Sequence, residues 1–355
     1  MVVKPVSAEE VAELVQSSAH VCAVGAGTKS GLIGEGEKIE FGGLTGVTEY
    51  ESSEYTFTAL AGTPVAEVEE VLGKKGQYLP FDPLFVEAGA TLGGTVASGV
   101  SGPGRFRFGG LRDFLIGVQF VDGHGALVRS GGKVVKNAAG FDLPKFLVGS
   151  LGRYGLMTEL SFKVFPAPFE VATLAVLCPD HVVAVERMTS MASSRWEPDA
   201  LDYDPARKTL HVRLGGPGKA LVDLCGEISA QWPGDVKQME GEQVWSDARE
   251  ARWAEGEFLV KTVMTPSRMA SLIERLEDYG SRVQCWCSSG GNVAWLSCDG
   301  GELSAVSKVL EGEGLEALVV RGKTCEGPWL GASRGGVIRH AVKEAIDPGG
   351  RFPPI

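Results

Sequence analysis

Apolar and polar positions follow one rhythm up to about residue 166 of this 355-residue chain and another beyond it. Ser7-Ala8-Glu9-Glu10 has the form of a helix-capping box, and Val11, Leu14 and Val15 give the short helix behind it an apolar face. That helix delivers the chain to a strand ending Val21-Cys22-Ala23-Val24. Tyr55 to Leu60 alternates with period two and predicts a strand, and Thr63-Pro64 opens a helix with Val65, Val68, Val71 and Leu72 inward, stopped by Gly73 and Gly76. From 111 to 165 the pattern is of strands joined by tight turns: Phe114 to Val121, the turn Asp122-Gly123-His124-Gly125, Ala126 to Arg129, and Gly155 to Val164, with a helix over Leu143 to Val148. An α+β domain follows, not a doubly wound sheet.

Pro166-Ala167-Pro168 marks a boundary. Beyond it the pattern predicts a strand at 171–177, a helix at 179–192, strands at 200–204 and 209–214, and a helix at 217–230. The theme then repeats, with strands near 257–264, 282–288, 292–298 and 316–320 and helices near 266–279 and 301–313. This βαββα alternation is ferredoxin-like in layout. A last helix, Ser333 to Ile346, is apolar at Val337, Ile338, Ala341, Val342 and Ile346 and stops at Asp347-Pro348-Gly349-Gly350. The expected organisation is a first domain over 1–168, an α+β cap over 169–330, and a helix over 331–355 that returns to the first domain.

Two glycine-rich stretches interrupt these elements. Gly25-Ala26-Gly27-Thr28-Lys29-Ser30-Gly31 follows the strand ending at Val24, and Ala90-Thr91-Leu92-Gly93-Gly94-Thr95-Val96-Ala97-Ser98-Gly99-Val100-Ser101-Gly102 comes some sixty residues later. A strand emptying into such a loop offers successive backbone N–H groups, and glycines let that backbone approach a pyrophosphate. Two such loops suit opposite sides of one large phosphate-bearing cofactor. The spacing G-x-G-x-x-x-G, followed by Leu32-Ile33-Gly34-Glu35-Gly36, fits neither the dinucleotide fingerprint nor the P-loop. Gly25 to Gly31 taken alone is equally compatible with an ordinary turn between strands.

A formal net charge of −11 argues against general affinity for nucleic acid. The basic cluster Arg105, Arg107 and Arg112 sits among aromatics inside the second glycine region and is expected to serve the cofactor. No stretch approaches the length of a spanning helix, and Met1-Val2-Val3-Lys4-Pro5 has no secretory core, so the expectation is a cytoplasmic protein, peripheral to a membrane only through partners. Seven cysteines, at 22, 178, 225, 285, 287, 298 and 325, form neither a metal nor an iron–sulfur ligand set and are expected to be buried structural thiols.

Gly25 to Gly31, Ala61-Gly-Thr63, Leu79-Pro80-Phe-Asp-Pro83, Gly89 to Gly94, Gly109-Gly-Leu-Arg-Asp113, Lys136-Asn137-Ala-Ala139-Gly140-Phe-Asp142-Leu143 and Val148-Gly-Ser-Leu-Gly152 occur in that order. As a set they resemble the FAD-binding domain of the vanillyl-alcohol oxidase/p-cresol methylhydroxylase (PCMH-type) superfamily and, within it, the small FAD-binding subunits of glycolate oxidases. The resemblance covers residues 5–165 and, through Asp347 to Phe352, the end of the chain. It implies a two-part PCMH-type FAD-binding domain followed by the cap. It also implies that Gly25, Ala26, Gly27, Thr28, Lys29, Ser30 and Gly31 hold the FAD pyrophosphate. Pro80 and the stretch Ala90, Thr91, Leu92, Gly93, Gly94, Ala97, Ser98, Gly99, Ser101 and Gly102 run past the flavin ring and ribityl chain, with Gly93 and Gly94 allowing close approach. Gly109 and Asp113 shape a turn behind the flavin, and Asn137, Ala139, Gly140, Asp142, Gly152, Gly155 and Leu156 line the rest of the cofactor.

Relatives with covalent flavin place a His at or beside Thr28-Lys29; its absence here implies noncovalent FAD. D-lactate dehydrogenase-like relatives have an acidic residue where Leu151 stands and a His pair in the cap, neither of which is found here. Oxidising a 2-hydroxy acid requires a cation for its carboxylate and a base for its hydroxyl proton. Arg213, Arg321, Lys323 and Arg334 are the candidate cations, and no catalytic residue is assigned. The resemblance therefore implies a subunit acting beside a larger FAD-containing glycolate oxidase subunit and an iron–sulfur subunit, the alternative being a noncatalytic flavin-binding or scaffold subunit that relays electrons.

Overall fold

The computed structural model describes residues 2–132, 141–325, 327–333 and 335–355. The chain divides into two compact units, one of residues 1–101, 110–166 and 335–355, the other of residues 102–109 and 167–334.

The first unit holds two sheets. In the smaller, strands Val2–Val3, Glu37–Glu40 and Val21–Val24 run parallel, with the middle strand in sequence at one edge. Helix Ala8–Ser17 connects the first strand to Val21–Val24; Ser7 caps it through Glu10 N, and the Glu10 carboxylate accepts from Val6 N at 2.8 Å. The larger sheet is antiparallel, in the order Val47–Glu51, Thr56–Leu60, Leu156–Lys163, Leu115–Val121, Leu127–Gly131. Its inner face stacks Phe57 on Phe162, with ring centroids 5.4 Å apart.

Helix Gly336–Ile346 and the tail behind it belong to this unit. The Lys343 ammonium pairs with Asp347 at 2.7 Å and donates to Arg153 O. Asp347 in turn accepts from Arg351 N and Phe352 N, and Val21 N donates to Arg351 O at 2.7 Å. The tail thus fixes the strand that feeds the first glycine loop.

The second unit is a nine-stranded antiparallel sheet with four helices on one face, while helix Gln243–Glu250 packs on the other through Trp245, which donates to Thr173 Oγ1 at 2.9 Å. Strands Glu170–Leu177, Ala200–Asp204, Thr209–Gly216 and Val236–Met239 take the spatial order fourth, first, third, second, the ferredoxin-like order. Phe258–Val263, Val283–Ser288, Val293–Cys298 and Glu316–Arg321 repeat it in reverse, so the halves meet edge to edge where Tyr203 pairs with Cys287. The half-polar edge strand Val236–Met239, the helix Gln243–Glu250 and the three-residue strand Trp329–Gly331 carry too weak a period to be read from the sequence. Helices His181–Ala192, Gly218–Gln231, Met269–Glu277 and Leu303–Gly312 cover a core that includes Leu174, Val212, Val260, Leu296 and Val319.

Three expectations are corrected. The second glycine stretch is not all loop: Leu92–Ser98 is a helix, because Thr91 caps it through Gly94 N and Gly99 ends it in the left-handed conformation at φ 63°. The basic cluster does not act as one group. Arg107 pairs with Glu197 at 2.8 Å and with Asp199 at 3.5 Å inside the second unit. Five cysteines are buried, but Cys285 is half-buried and Cys325 exposed.

Candidate functional site

Strand Val21–Val24 ends in the first glycine loop, and the loop abuts the start of helix Leu92–Ser98. A Cβ on Gly25 would lie 2.4 Å from Thr91 Oγ1, so the two glycine stretches meet with no room for a side chain at that point. A third segment of the site is the turn at 148–153. Gly149 N donates to Val96 O at 2.9 Å and Leu151 N to Ala97 O at 2.8 Å, which pins this turn to the helix. Leu151, a residue with a Cβ, is held there at φ 54°, a conformation that costs about 1 kcal/mol or more.

These segments line a single half-open cleft. Of the residues assigned to the cofactor by sequence, Gly25, Ala26, Gly27, Thr28 and Lys29 line it from the first loop. Thr91, Gly93, Gly94, Ala97 and Ser98 line it from the helix, and Gly152, Gly155 and Leu156 from the turn and the strand behind it. Lys29 is buried, with its ammonium 5.4 Å from the Phe85 ring. The lining also includes Ala23, Leu32, Ile33, Phe41, Ala61, Leu151 and Met157, which are not assigned to the cofactor by sequence. Ala61 and Leu151 stand inside two of the quoted motifs, Ala23, Leu32, Ile33 and Met157 lie within a few residues of assigned positions, and Phe41 carries no sequence signal.

The other assigned residues lie elsewhere. Ser30 and Gly31 form a 3-10 turn with Leu32. Pro80, Ala90 and Leu92 are packed in the interior, with Ala90 O accepting from Val65 N at 2.8 Å. Ser101 Oγ accepts from Leu111 N, and Asp113 accepts from Gly110 N at 2.9 Å, a local cap. Asp142 caps the helix Leu143–Leu147 and pairs with Lys145 at 3.0 Å. Gly102 and Gly109 fall in the second unit. Asn137, Ala139 and Gly140 lie outside the described residues.

The structure gives Gly93 a reason of its own. A Cβ there would meet the Cβ and carbonyl oxygen of Ala61 at 2.9 Å, and Gly93 N donates to Ala61 O at 2.7 Å. Gly94 is looser, its notional Cβ meeting only Thr91 Oγ1, at 3.1 Å.

The segments that line this cleft also carry buried polar atoms without partners. Thr95 Oγ1 in the lining helix, Ser150 Oγ, and Nε and Nη1 of Arg153 in the pinned turn have no hydrogen-bond partner. Burial lowers the Arg153 guanidinium's hold on its proton and raises the pKa of the neighbouring Cys22 thiol. Backbone N–H groups, a buried lysine, small side chains and an apolar wall of Leu32, Ile33, Phe41 and Met157 suit a long ligand with phosphates and a flat ring. The residues present therefore fit FAD.

On the second unit's sheet, the face opposite the four core helices carries a different polar set. Register places Leu318, Lys261, Trp295 and Trp286 in one row across four strands. Asp202, fully buried, accepts from Trp286 Nε1 at 2.9 Å, Ser288 Oγ at 2.7 Å and Ser289 N at 3.1 Å. Burial pushes its carboxyl up to about 6 despite these donors. His211 stacks on Trp286 at 5.7 Å, leaves Nδ1 without a partner, and is pushed down to about 4 by burial. Among the expected cations, Arg213 lies over the Trp245 ring at 5.3 Å and Arg321 donates to Ala254 O and Gly256 O. Lys323 is exposed, and Arg334 lies outside the described residues.

Residues 1–131 match the FAD binding domain family. The glycolate oxidase subunit GlcE of Escherichia coli K12 is 36% identical over 204 residues, covering 55% of this chain and 56% of that protein. Glycolate oxidase subunit GlcD of Bacillus subtilis is 27% identical, over 63% of this chain and 47% of that protein. The chain thus spans about half the length of the curated relatives it matches. Among solved structures, p-cresol methylhydroxylase with substrate bound superposes with a TM-score of 0.74 at 14% identity, over 99% of this chain and 88% of that one. An alkyldihydroxyacetonephosphate synthase superposes at 0.73 and 19% identity, over 98% and 76%. The fold is of the PCMH type.

Proposed function

We propose that this chain, which carries a PCMH-type FAD-binding domain with FAD as its cofactor, is an oxidoreductase subunit acting in the oxidation of glycolate or a related 2-hydroxy acid. The observation that carries the reading is the cleft in which two glycine stretches and a pinned turn converge. Gly25 to Lys29 would hold the pyrophosphate through backbone N–H groups and the Lys29 charge, and Leu32, Ile33, Phe41 and Met157 would bound the apolar part of the cofactor. Bound FAD supplies a two-electron acceptor for the hydroxy acid's C–H bond. Flavin attachment is noncovalent, since Thr28 and Lys29 offer no histidine.

The reaction runs in a complex with a larger FAD-containing subunit and an iron–sulfur subunit. The similarity to both a GlcE and a GlcD chain supports this assignment. Among the described residues, no helix is long and apolar enough to cross a membrane. A second reading is a flavin-bearing scaffold that relays electrons. It is favoured by His211 in the second unit, which burial between aromatic rings pushes down to about 4 and so leaves a weak base.

Purified protein should be yellow, and acid precipitation should release all of the flavin to the supernatant. Glycolate should bleach the flavin once partner subunits are present. Bleaching of the isolated chain would show that it oxidises alone; a colourless protein would refute the proposal.

A further inference from the structure

Cys285 and Cys287 stand two residues apart in the strand Val283–Ser288, so both side chains leave the same face of the sheet. Cys287 belongs to the core beneath the helices and Cys285 packs against that core. Their sulfurs are 3.9 Å apart, in contact with each other. Access differs between them: Cys287 is fully buried, whereas Cys285 is half-buried. The two edges of the strand differ as well. One pairs with Val293–Cys298 from Val283 to Ser288, but the other meets Ala200–Asp204 only where Cys287 faces Tyr203. Cys285 therefore lies on a stretch of strand held along one edge alone.

Two thiols in contact, one reached by solvent and one not, suit disulfide exchange, in which the outer thiol meets the reagent and the inner one resolves the adduct. We infer that Cys285 and Cys287 form a reversible thiol–disulfide site whose co-substrate is a low-molecular-weight disulfide, RSSR. The Cys285 thiol gives its proton to solvent and attacks one sulfur of RSSR, so that a mixed disulfide forms and RS− leaves. Cys287 then loses its proton, attacks the Cys285 sulfur and expels the second RS−. The two cysteines together lose two electrons and two protons, and RSSR takes them up as two RSH. The hydrogen bond to Cys285, and then burial, hold the Cys287 thiol protonated, which makes the second step the slower.

Closing the bridge bends the strand. Alternate residues of a strand have Cα atoms about 6.5 Å apart, near the upper limit that a disulfide spans, and the sulfurs must draw together to about 2 Å. A bridge made under that tension is readily reduced, so the site is reversible. Trp286, between the two cysteines, points to the opposite face and donates to Asp202 at 2.9 Å, and its buried indole senses the bend.

The test uses flavin-loaded protein carrying Cys325→Ser, which removes the exposed thiol, incubated with glutathione disulfide and followed by acid quench and peptide mass mapping. The peptide holding both cysteines should lose two hydrogens, with a glutathione adduct at Cys285 seen only in passing, and dithiothreitol should restore it. A change in tryptophan emission should accompany the bridge and reverse with it. Adding Cys287→Ala should leave a stable adduct at Cys285, and adding Cys285→Ser should slow oxidation of Cys287 roughly tenfold or more. An adduct that persists at Cys285 while Cys287 is present, equal oxidation of Cys287 with and without Cys285, or two free thiols after glutathione disulfide has been held in excess would each overturn the assignment. Should either added variant fail to fold, the mass of the parent peptide decides alone: two hydrogens lost supports the site, and any other mass refutes it.

Discussion

In the first unit's cleft the lining is backbone and small side chains, Gly25, Gly27, Gly93 and Gly94 among them, whereas one sheet face of the second unit carries the half-buried Lys261 and the buried Trp286, Asp202 and His211. A backbone-built site tolerates change at most side chains and fails where a Cβ intrudes. A site built from cross-strand side chains has the opposite sensitivity. Its backbone is ordinary antiparallel sheet, and its chemistry depends on which groups the register places side by side. The cofactor side should therefore break at glycines and the cap side at buried charges.

The largest effect is expected at Asp202. Replacing it with Ala strands Trp286 Nε1, Ser288 Oγ and Ser289 N in a buried position, at a cost of about 3 kcal/mol or more. Calorimetry should show this as a lower unfolding temperature. Asp202→Asn keeps an acceptor and loses less. The same residue sets a pH dependence. Its carboxyl is raised from 3.8 to about 6, so the folded protein binds that proton more tightly than the unfolded chain. The stability it contributes is full below about 4, is lost as pH rises through about 6, and is flat above, with a span of up to about 3 kcal/mol. In Asp202→Asn that slope should vanish; its persistence would assign it to another group.

Next come the paired glycines, which separate packing from cofactor approach. Gly93→Ala puts a methyl against Ala61 and should destabilise the protein by about 1–3 kcal/mol even without flavin. In Gly94→Val the added Cβ meets only Thr91 Oγ1 within the protein, at 3.1 Å. The apoprotein should stay within about 1 kcal/mol of wild type, while flavin per chain falls at least tenfold. If Gly94→Val retained its flavin, the cofactor would not approach the backbone there.

The same contrast governs what could be read from the sequence. Glycine stretches are visible in one dimension because the backbone demand and the residue that meets it share a position. The helix Leu92–Ser98 hid inside one of them since Gly93 and Gly94 lower helix propensity, and only the Thr91 cap and the Gly99 stop reveal it. In the cap, strong periods made most strands and helices legible, and the two ferredoxin-like halves follow from their order. Lys261 was not legible. Phe258-Leu-Val-Lys261-Thr-Val263 reads as a strand with one solvated lysine, and only the pairing with Trp295 and Leu318 shows it half-buried. Arg213 and Arg321 drew attention as cations, yet one is engaged by an indole and the other by carbonyls. Asp113 and Asp142, assigned to the cofactor by resemblance, also make local caps.

The smallest effect is expected at the thiols, where the two regions should behave alike. Cys22 in the first unit and Cys178, Cys225, Cys287 and Cys298 in the second are buried, and burial raises the pKa of each, to about 11 for Cys178 and Cys298; for Cys287 the hydrogen bond to Cys285 adds the larger push. A thiol must ionise to react, so these should resist alkylation in the native protein. Cys325 is exposed and should react first, with half-buried Cys285 following more slowly. Mass spectrometry after brief iodoacetamide treatment reads the order directly. Cys325→Ser should remove the fast phase and change stability by no more than about 0.5 kcal/mol, with flavin content unaltered. Fast labelling of Cys22 would show instead that the strand feeding the first glycine loop opens in the native state, and that the backbone-built site is the less rigid of the two.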